Sequence, residues 1–491
     1  MTLLLSFLFT ASTFAQYALT ATPQQIQADL TRILSHESDV VLTTDPSYQT
    51  NFTPRWTVYS KSRPAFNVAA KPATARDIQQ IVRYATENNI SFLATGGGDG
   101  YSTSLSGLTS ALNVDLGNFK NVAVNASTNT MTVGAATIFA DIFDPLYAAG
   151  KQFPSSGAST PSIIGLTLGG GIGPLTGAHG LLIDSLISVE MVTGSGQILK
   201  ASNTENSELF WGMRGAGVNF GIVTYATYRI YDAFNNGVVY NADLVFEGEK
   251  NETIFKILNS YQGAQDDKLS ISITSAVKNG DPQLSVSAIY FGTKEQGEAA
   301  IKPFLNQRPK FSNVSVIPSN QLVYIANFGS NAFARVKGVR ADLWGYQLNN
   351  LTVATLSSTF TRFTNFIIEN PGFEDSATWL VEKFGLGVTA TIPDNSTAYA
   401  WRKTVAYGYF GFFLPENVTG QMTRNVDQFA EVIHHNLVVN CGNPERNVFP
   451  NYARGSETPE QVYGKSKLPI LRSLKKKYDP KGLFNHFNPL V

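Results

Sequence analysis

The chain has 491 residues, of which 43% are hydrophobic and 15% charged, and its 37 basic residues balance 37 acidic ones. That length suffices for two or three compact units whose cores need no covalent staple. The balanced charge, with no basic stripe, excludes nucleic acid as a partner and docking on an anionic membrane; the single cysteine, Cys441, excludes an intramolecular disulfide and a thiolate metal site.

The first 15 residues read as a signal peptide. Leu3 to Phe9 form a short apolar stretch, and Thr13 and Ala15 are the small residues of a cleavage site before Gln16. Seven Asn-x-Ser/Thr sequons, at Asn51, Asn125, Asn251, Asn313, Asn350, Asn395 and Asn417, point the same way, to a secreted chain carrying N-glycans.

Residues 62–233 alternate helix-like with strand-like stretches. Pro72 to Asp77 open a helix on which Ile78, Ile81, Val82 and Ala85 recur at helical spacing; Asn89 ends it and Ile90 to Ala94 follow as a buried strand. Met131 to Val133 read as a strand and Ile138 to Ala149 as a helix. Residues 234–440 alternate in period two at Leu269–Ile273, Leu284–Ile289 and Gly387–Ile392, as antiparallel strands do, with helical stretches at Asn251–Ala264 and Asn425–Asn436. Residues 441–491 close the chain with a helix from Pro469 to Tyr478, and Lys475, Lys476 and Lys477 read as its solvated end.

Three glycine-bearing stretches carry the functional signal. They are Thr95 to Tyr101 (Gly96, Gly97, Gly98, Asp99, Gly100), Gly165 to Gly173 (Gly169, Gly170, Gly171, Gly173), and Leu209 to Thr224 (Gly215, Gly217, Gly221). Glycine lets backbone N–H groups approach a phosphate with no Cβ in the way. The pattern is neither a Walker loop nor a dinucleotide fingerprint opening a helix. No Gly-x-Ser-x-Gly elbow and no histidine-rich metal spacing occurs, so no metal site is expected.

In this order and spacing the three stretches resemble the berberine-bridge-enzyme-like oxidases of the vanillyl-alcohol-oxidase flavoprotein family. Asn451-Tyr452, Tyr463-Gly464, Leu471, Lys475, Tyr478-Asp479-Pro480 and Phe484 resemble that family's closing segment, and Thr397 to Arg402 its substrate-domain signature. The resemblance implies an α+β fold: a two-part PCMH-type FAD-binding domain (62–233, completed by 441–491) and a substrate domain (234–440) with a large antiparallel sheet flanked by helices. It implies FAD as cofactor, wrapped by the first two glycine stretches. Asp184 would belong to the adjoining contact segment, Gly217, Asn219, Phe220, Gly221 and Val223 would line the adenine and ribitol side, and Asn451 would return to the flavin edge.

Two positions depart from the family. Its members commonly tether FAD through a histidine in the first loop and a cysteine shortly before the second; here Asp99 holds the first position and Ala158 or Ser159 the second. FAD is therefore expected to bind noncovalently. A carboxylate about 4 Å from the flavin would disfavour its anionic reduced form by about 1–4 kcal/mol. Tyr452 is the first candidate for taking a substrate proton, with Asp99, Tyr101 and His179 as further titratable groups. The expected activity is oxidation of a small organic substrate, a secondary metabolite or carbohydrate, with O2 as electron acceptor. The alternative is a non-redox isomerase or cyclase on the same fold, with flavin structural or absent.

Overall fold

A computed structural model describes residues 21–59, 61–416 and 418–490. The signal-peptide expectation and the Asn417 sequon lie outside them. Three main sheets with helices make an α+β architecture.

The first sheet has the order Asp39–Leu42, Phe66–Lys71, Ala111–Asp115, Phe92–Thr95, with the last three strands parallel. Helix Ala75–Glu87 supplies the crossover to Phe92–Thr95. Thr74 and Asp77 cap it reciprocally, and its apolar stripe is buried at Ile78, Ile81, Val82 and Ala85. The strand Phe92–Thr95 ends directly in the first glycine loop. A parallel strand's carboxyl end commonly opens a ligand crevice.

The second sheet is antiparallel, in the order Val122–Asn125, Thr130–Gly134, Gly221–Arg229, Leu186–Thr193, Ile198–Ser202. Both sheets share one hydrophobic core, which the C-terminal helix Leu468–Tyr478 joins through Leu471, Leu474 and Tyr478.

The third sheet is antiparallel with seven strands, from Phe311–Pro318 at one edge through Val238–Glu247, Asp281–Tyr290, Leu269–Lys278, Ala377–Phe384 and Ala406–Phe413 to Ala341–Leu348. Helices Asn251–Ser260, Lys294–Leu305, Val353–Glu369 and Gly420–Asn440 bury its inner side chains on one face. The opposite face looks toward the glycine-rich sheets through an aromatic layer of Phe384, Tyr399, Tyr407 and Phe449.

Two expectations are corrected. Gly387–Thr391 is one helical turn, not a strand: no strand among the described residues pairs with it, Asp267 accepts the Gly387 N–H at 2.9 Å, and Ala390 N–H closes onto Leu386 at 2.7 Å. Lys475 is 4% exposed rather than solvated. It pairs with Asp479 at 2.7 Å and donates to the carbonyls of Asn219 and Phe484, which offsets the cost of burying its charge.

Candidate active site

The loop after Thr95 is shaped by its neighbours. Gly98 has φ +77°, and a Cβ there would lie 2.4 Å from the Pro54 carbonyl oxygen, so only glycine fits without displacing the backbone. Trp56 N–H donates to the Gly98 carbonyl at 2.9 Å, the Arg55 guanidinium donates to that of Gly100, and Lys337 Nζ donates to that of Gly97 at 3.1 Å. All three contacts take carbonyls. None of the backbone N–H groups from Gly96 to Tyr101 meets an acceptor among the described residues. A run of free amides between two cations, Arg55 and Lys337, is the donor set that a diphosphate needs. These residues fit the pyrophosphate of FAD.

Asp99 faces Lys337, 238 residues further along the chain. Its Oδ1 accepts from Lys337 Nζ at 2.9 Å and from Thr160 Oγ1 at 3.2 Å; its Oδ2 is buried with no partner among the described residues. Burial raises the Asp99 carboxyl above its usual range, and Lys337 opposes that rise. The charge expected to work against a reduced flavin thus comes with a compensating cation.

The other glycine stretches use their amides internally. Gly170 N–H bonds Thr167 at 2.9 Å, Gly171 N–H reaches Asn451 Oδ1 at 3.4 Å, and Gly173 N–H bonds Thr176 Oγ1 at 2.9 Å. Gly169 packs against the Asn451 amide. Gly217 N–H bonds Leu168 at 3.1 Å; Asn219 donates to the Tyr463 hydroxyl at 2.9 Å and is buried, as are Phe220, Gly221 and Val223. Asp184 forms a buried two-pronged pair with Arg402, at 2.9 and 3.0 Å, and caps Leu181 N–H. These residues join the chain's distant segments.

Tyr452 sits where the closing segment meets the seven-stranded sheet. Its backbone carbonyl lies against Gly345, where a Cβ would come within 1.9 Å of it. Its hydroxyl donates to Glu382 Oε2 at 2.6 Å. Phe449 and Tyr409 stand edge-on to its ring, with centroids 5.2 and 5.7 Å away. Burial lifts Glu382 to about 7, with the Tyr452 hydrogen bond pulling the other way. Burial, and then the Glu382 charge, push the Tyr452 phenol well above its usual value. A free tyrosinate is therefore disfavoured here. What the pair can do is take a proton at the phenol oxygen while the phenol proton passes to Glu382.

The remaining candidates have other partners. The Tyr101 hydroxyl donates to Asp342 at 2.9 Å and accepts from Leu343 N–H at 3.1 Å, in a buried cluster with Arg454. His179 stacks on Tyr231 at 3.8 Å and bonds Gln152 at 2.6 Å; burial lowers its pKa to about 4, so it is neutral at ordinary pH.

Sequence reasoning missed Glu382, Lys337 and Arg55. Glu382 left one trace: it is a carboxylate between Leu380 and Phe384 on one face of a largely apolar strand. Lys337 and Arg55 lie in irregular segments with no periodic signal.

Comparisons with known proteins show the family and the fold. A family model described as FAD binding domain matches residues 66–202, and one described as berberine and berberine like matches residues 448–489. The chain is 36% identical over 446 residues to the FAD-linked oxidoreductase azaL of Aspergillus niger, covering 90% of this chain and 93% of that one. BBE-like 1 of Physcomitrella patens has the same fold, with a TM-score of 0.80 at 21% identity over 96% of this chain and 99% of that one. The carbohydrate oxidase from Microdochium nivale superposes with a TM-score of 0.79 at 22% identity, over 95% and 99% of the two chains.

Proposed function

The chain belongs to the berberine-bridge-enzyme-like family of FAD-linked oxidoreductases, and from that premise we propose that it oxidises a small organic substrate with Tyr452 and Glu382 as its proton-accepting pair. The observation that carries this reading is the 2.6 Å hydrogen bond from the Tyr452 hydroxyl to a carboxylate lifted to about 7. FAD, when bound, supplies the two-electron acceptor for the substrate's hydride, and O2 is the acceptor we assign to its reoxidation. The free amides of Gly96 to Tyr101, with Arg55 and Lys337, hold its diphosphate noncovalently.

The protein's own part is to bind, orient and deprotonate. A substrate hydroxyl or amine hydrogen-bonded to the Tyr452 oxygen passes its proton there as the phenol proton moves to Glu382. Glu382 must be ionised to receive it, so turnover rises with pH through about 7. Beside the Tyr452 ring the partly exposed Tyr409 ring stands edge-on, centroids 5.7 Å apart, and suits contact with a flat metabolite or the apolar face of a sugar ring. The carbohydrate oxidase with the same fold makes sugars the first substrates to try.

We also read the chain as secreted, on the apolar run Leu3 to Phe9, the small residues Thr13 and Ala15, and the sequons. No described helix is long and apolar enough to cross a membrane.

The test is anaerobic mixing of the yellow protein with oligosaccharides and aromatic alcohols. Bleaching by one of them, lost in Tyr452→Phe, supports the reading. Conversion to an isomer of equal mass without O2 uptake would replace it with non-redox chemistry.

A further inference from the structure

The seven-stranded sheet has an edge strand that is unguarded along its middle. Among the described residues, strand Phe311–Pro318 pairs with Val238–Glu247 on one side and with no strand on the other. Its register runs unbroken from Phe311 to Pro318, so no bulge twists it away, and Phe-Ser-Asn-Val-Ser-Val-Ile-Pro contains no charge. Phe311 is 50% exposed, Val314 38% and Val316 47%. Proteins ordinarily blunt such an edge with lysine, an interior proline or a bulge, because it templates pairing with another chain. Here Lys310, whose N–H bonds the Val245 carbonyl at 2.7 Å just before the strand, and Pro318 guard only the two ends, and the stretch between them carries no charge.

The strand does contain a sequon, Asn313-Val314-Ser315, at its middle. Asn313 is exposed, and its side chain makes no hydrogen bond among the described residues. Alternation along a strand puts Asn313 on the same face as Phe311, two residues before it. Phe328, itself 43% exposed, lies beside that ring, with centroids 6.3 Å apart. A sugar linked to Asn313 therefore starts next to two exposed aromatic rings whose apolar surface it can cover.

We propose that Asn313 carries an N-linked glycan that covers Phe311 and Phe328 and closes the free edge of the sheet against self-association. The proposal rests on the reading of the chain as secreted. Asn251 makes the contrast: its Nδ2 donates to the Gly248 carbonyl at 2.7 Å and its Oδ1 accepts from Ser357, so the side chain is held against the protein rather than free in solvent. Asn51, Asn125, Asn350 and Asn395 are exposed sequons away from this edge strand and serve as internal controls.

The experiment is peptide mass spectrometry of protein secreted from a eukaryotic host, deglycosylated enzymatically in 18O water to mark each occupied asparagine. Light scattering then follows the folded protein before and after enzymatic deglycosylation. Asn313 should be occupied and Asn251 bare. Asn313→Gln and Ser315→Ala should each speed dimer and aggregate formation several-fold with turnover per folded molecule unchanged, whereas Asn125→Gln should not. Val316→Lys, which puts a charge on the edge, should restore the monomer in the Asn313→Gln background. Occupied control sequons beside a bare Asn313 would overturn the proposal and leave secretion standing. No occupied sequon at all would overturn both. An occupied Asn313 whose glycan can be removed without any change in association would overturn the shielding role.

Discussion

The loop 96–101 and the stretch 217–223 look alike as text: each is a glycine-bearing turn next to a strand. In the fold they do opposite things. Among the described residues the first leaves six consecutive N–H groups without acceptors and gives its carbonyls to Trp56, Arg55 and Lys337. The second is tied to Leu168, Tyr463 and Lys475 and buried in the core. Glycine content thus marks close backbone approach, and distant partners decide whether the approaching group is a ligand or the protein itself. Tyr452 and Tyr101 differ in the same way. One phenol meets a carboxylate beside the Tyr409 and Phe449 rings; the other is held between Asp342 and the Leu343 amide.

The largest expected effect separates the two phenols. Tyr452→Phe and Glu382→Gln should each lower kcat by about 10²–10⁴-fold while FAD stays bound. Tyr101→Phe should leave kcat within about threefold and lower stability by about 1–3 kcal/mol, the cost of an unsatisfied buried partner. Glu382→Gln should also abolish the acid limb of the rate profile. Because burial raises the Glu382 pKa, its stabilising contribution is present below the ordinary carboxylate value and lost as pH rises through about 7. The same variant should therefore melt higher than the parent above that pH and gain nothing near pH 4.

The two glycine stretches separate next. Lys475→Met leaves Asp479 buried without its cation and should cost about 3–5 kcal/mol of stability, read by thermal melting. Lys337→Met or Arg55→Met removes a charge-assisted contact at the first loop and should weaken FAD binding about ten- to a hundredfold, or about 1.5–3 kcal/mol. Fluorescence titration of the apoprotein with FAD measures this. Equal loss of affinity in a Lys475 variant that still folds would break the comparison.

The smallest effect concerns His179. Burial holds it near 4, so on acidification the unfolded chain takes up a proton first. Its contribution is present above about 6.5 and is lost as pH falls toward 4. His179→Gln should remove roughly 1–2 kcal/mol of the stability lost between pH 7 and pH 5, measured by denaturant unfolding at each pH.

What was legible in the sequence follows from range. The stripe on Ala75–Glu87, the alternation of Leu269–Lys278 and the glycine loop are local patterns, and each formed where its period placed it. The Gly387–Thr391 turn misled because alternation over so few residues does not specify a strand without a partner to ladder with. Glu382 and Tyr452 are 70 residues apart and Lys337 and Asp99 238 apart, so neither pairing leaves a spacing to detect. Lys475 was misread because its charge suggested solvent, while its partners come from the turn that follows and from Asn219.

The most direct test of the first loop as a noncovalent FAD cradle is acid precipitation of the purified yellow protein. FAD absorbance should leave with the supernatant, and apoprotein refolded from the pellet should take FAD up again in the parent but far more weakly in Lys337→Met. Absorbance that stays with the pellet would contradict the account, since a covalent bond would then be holding what the amides of Gly96 to Tyr101 are said to hold.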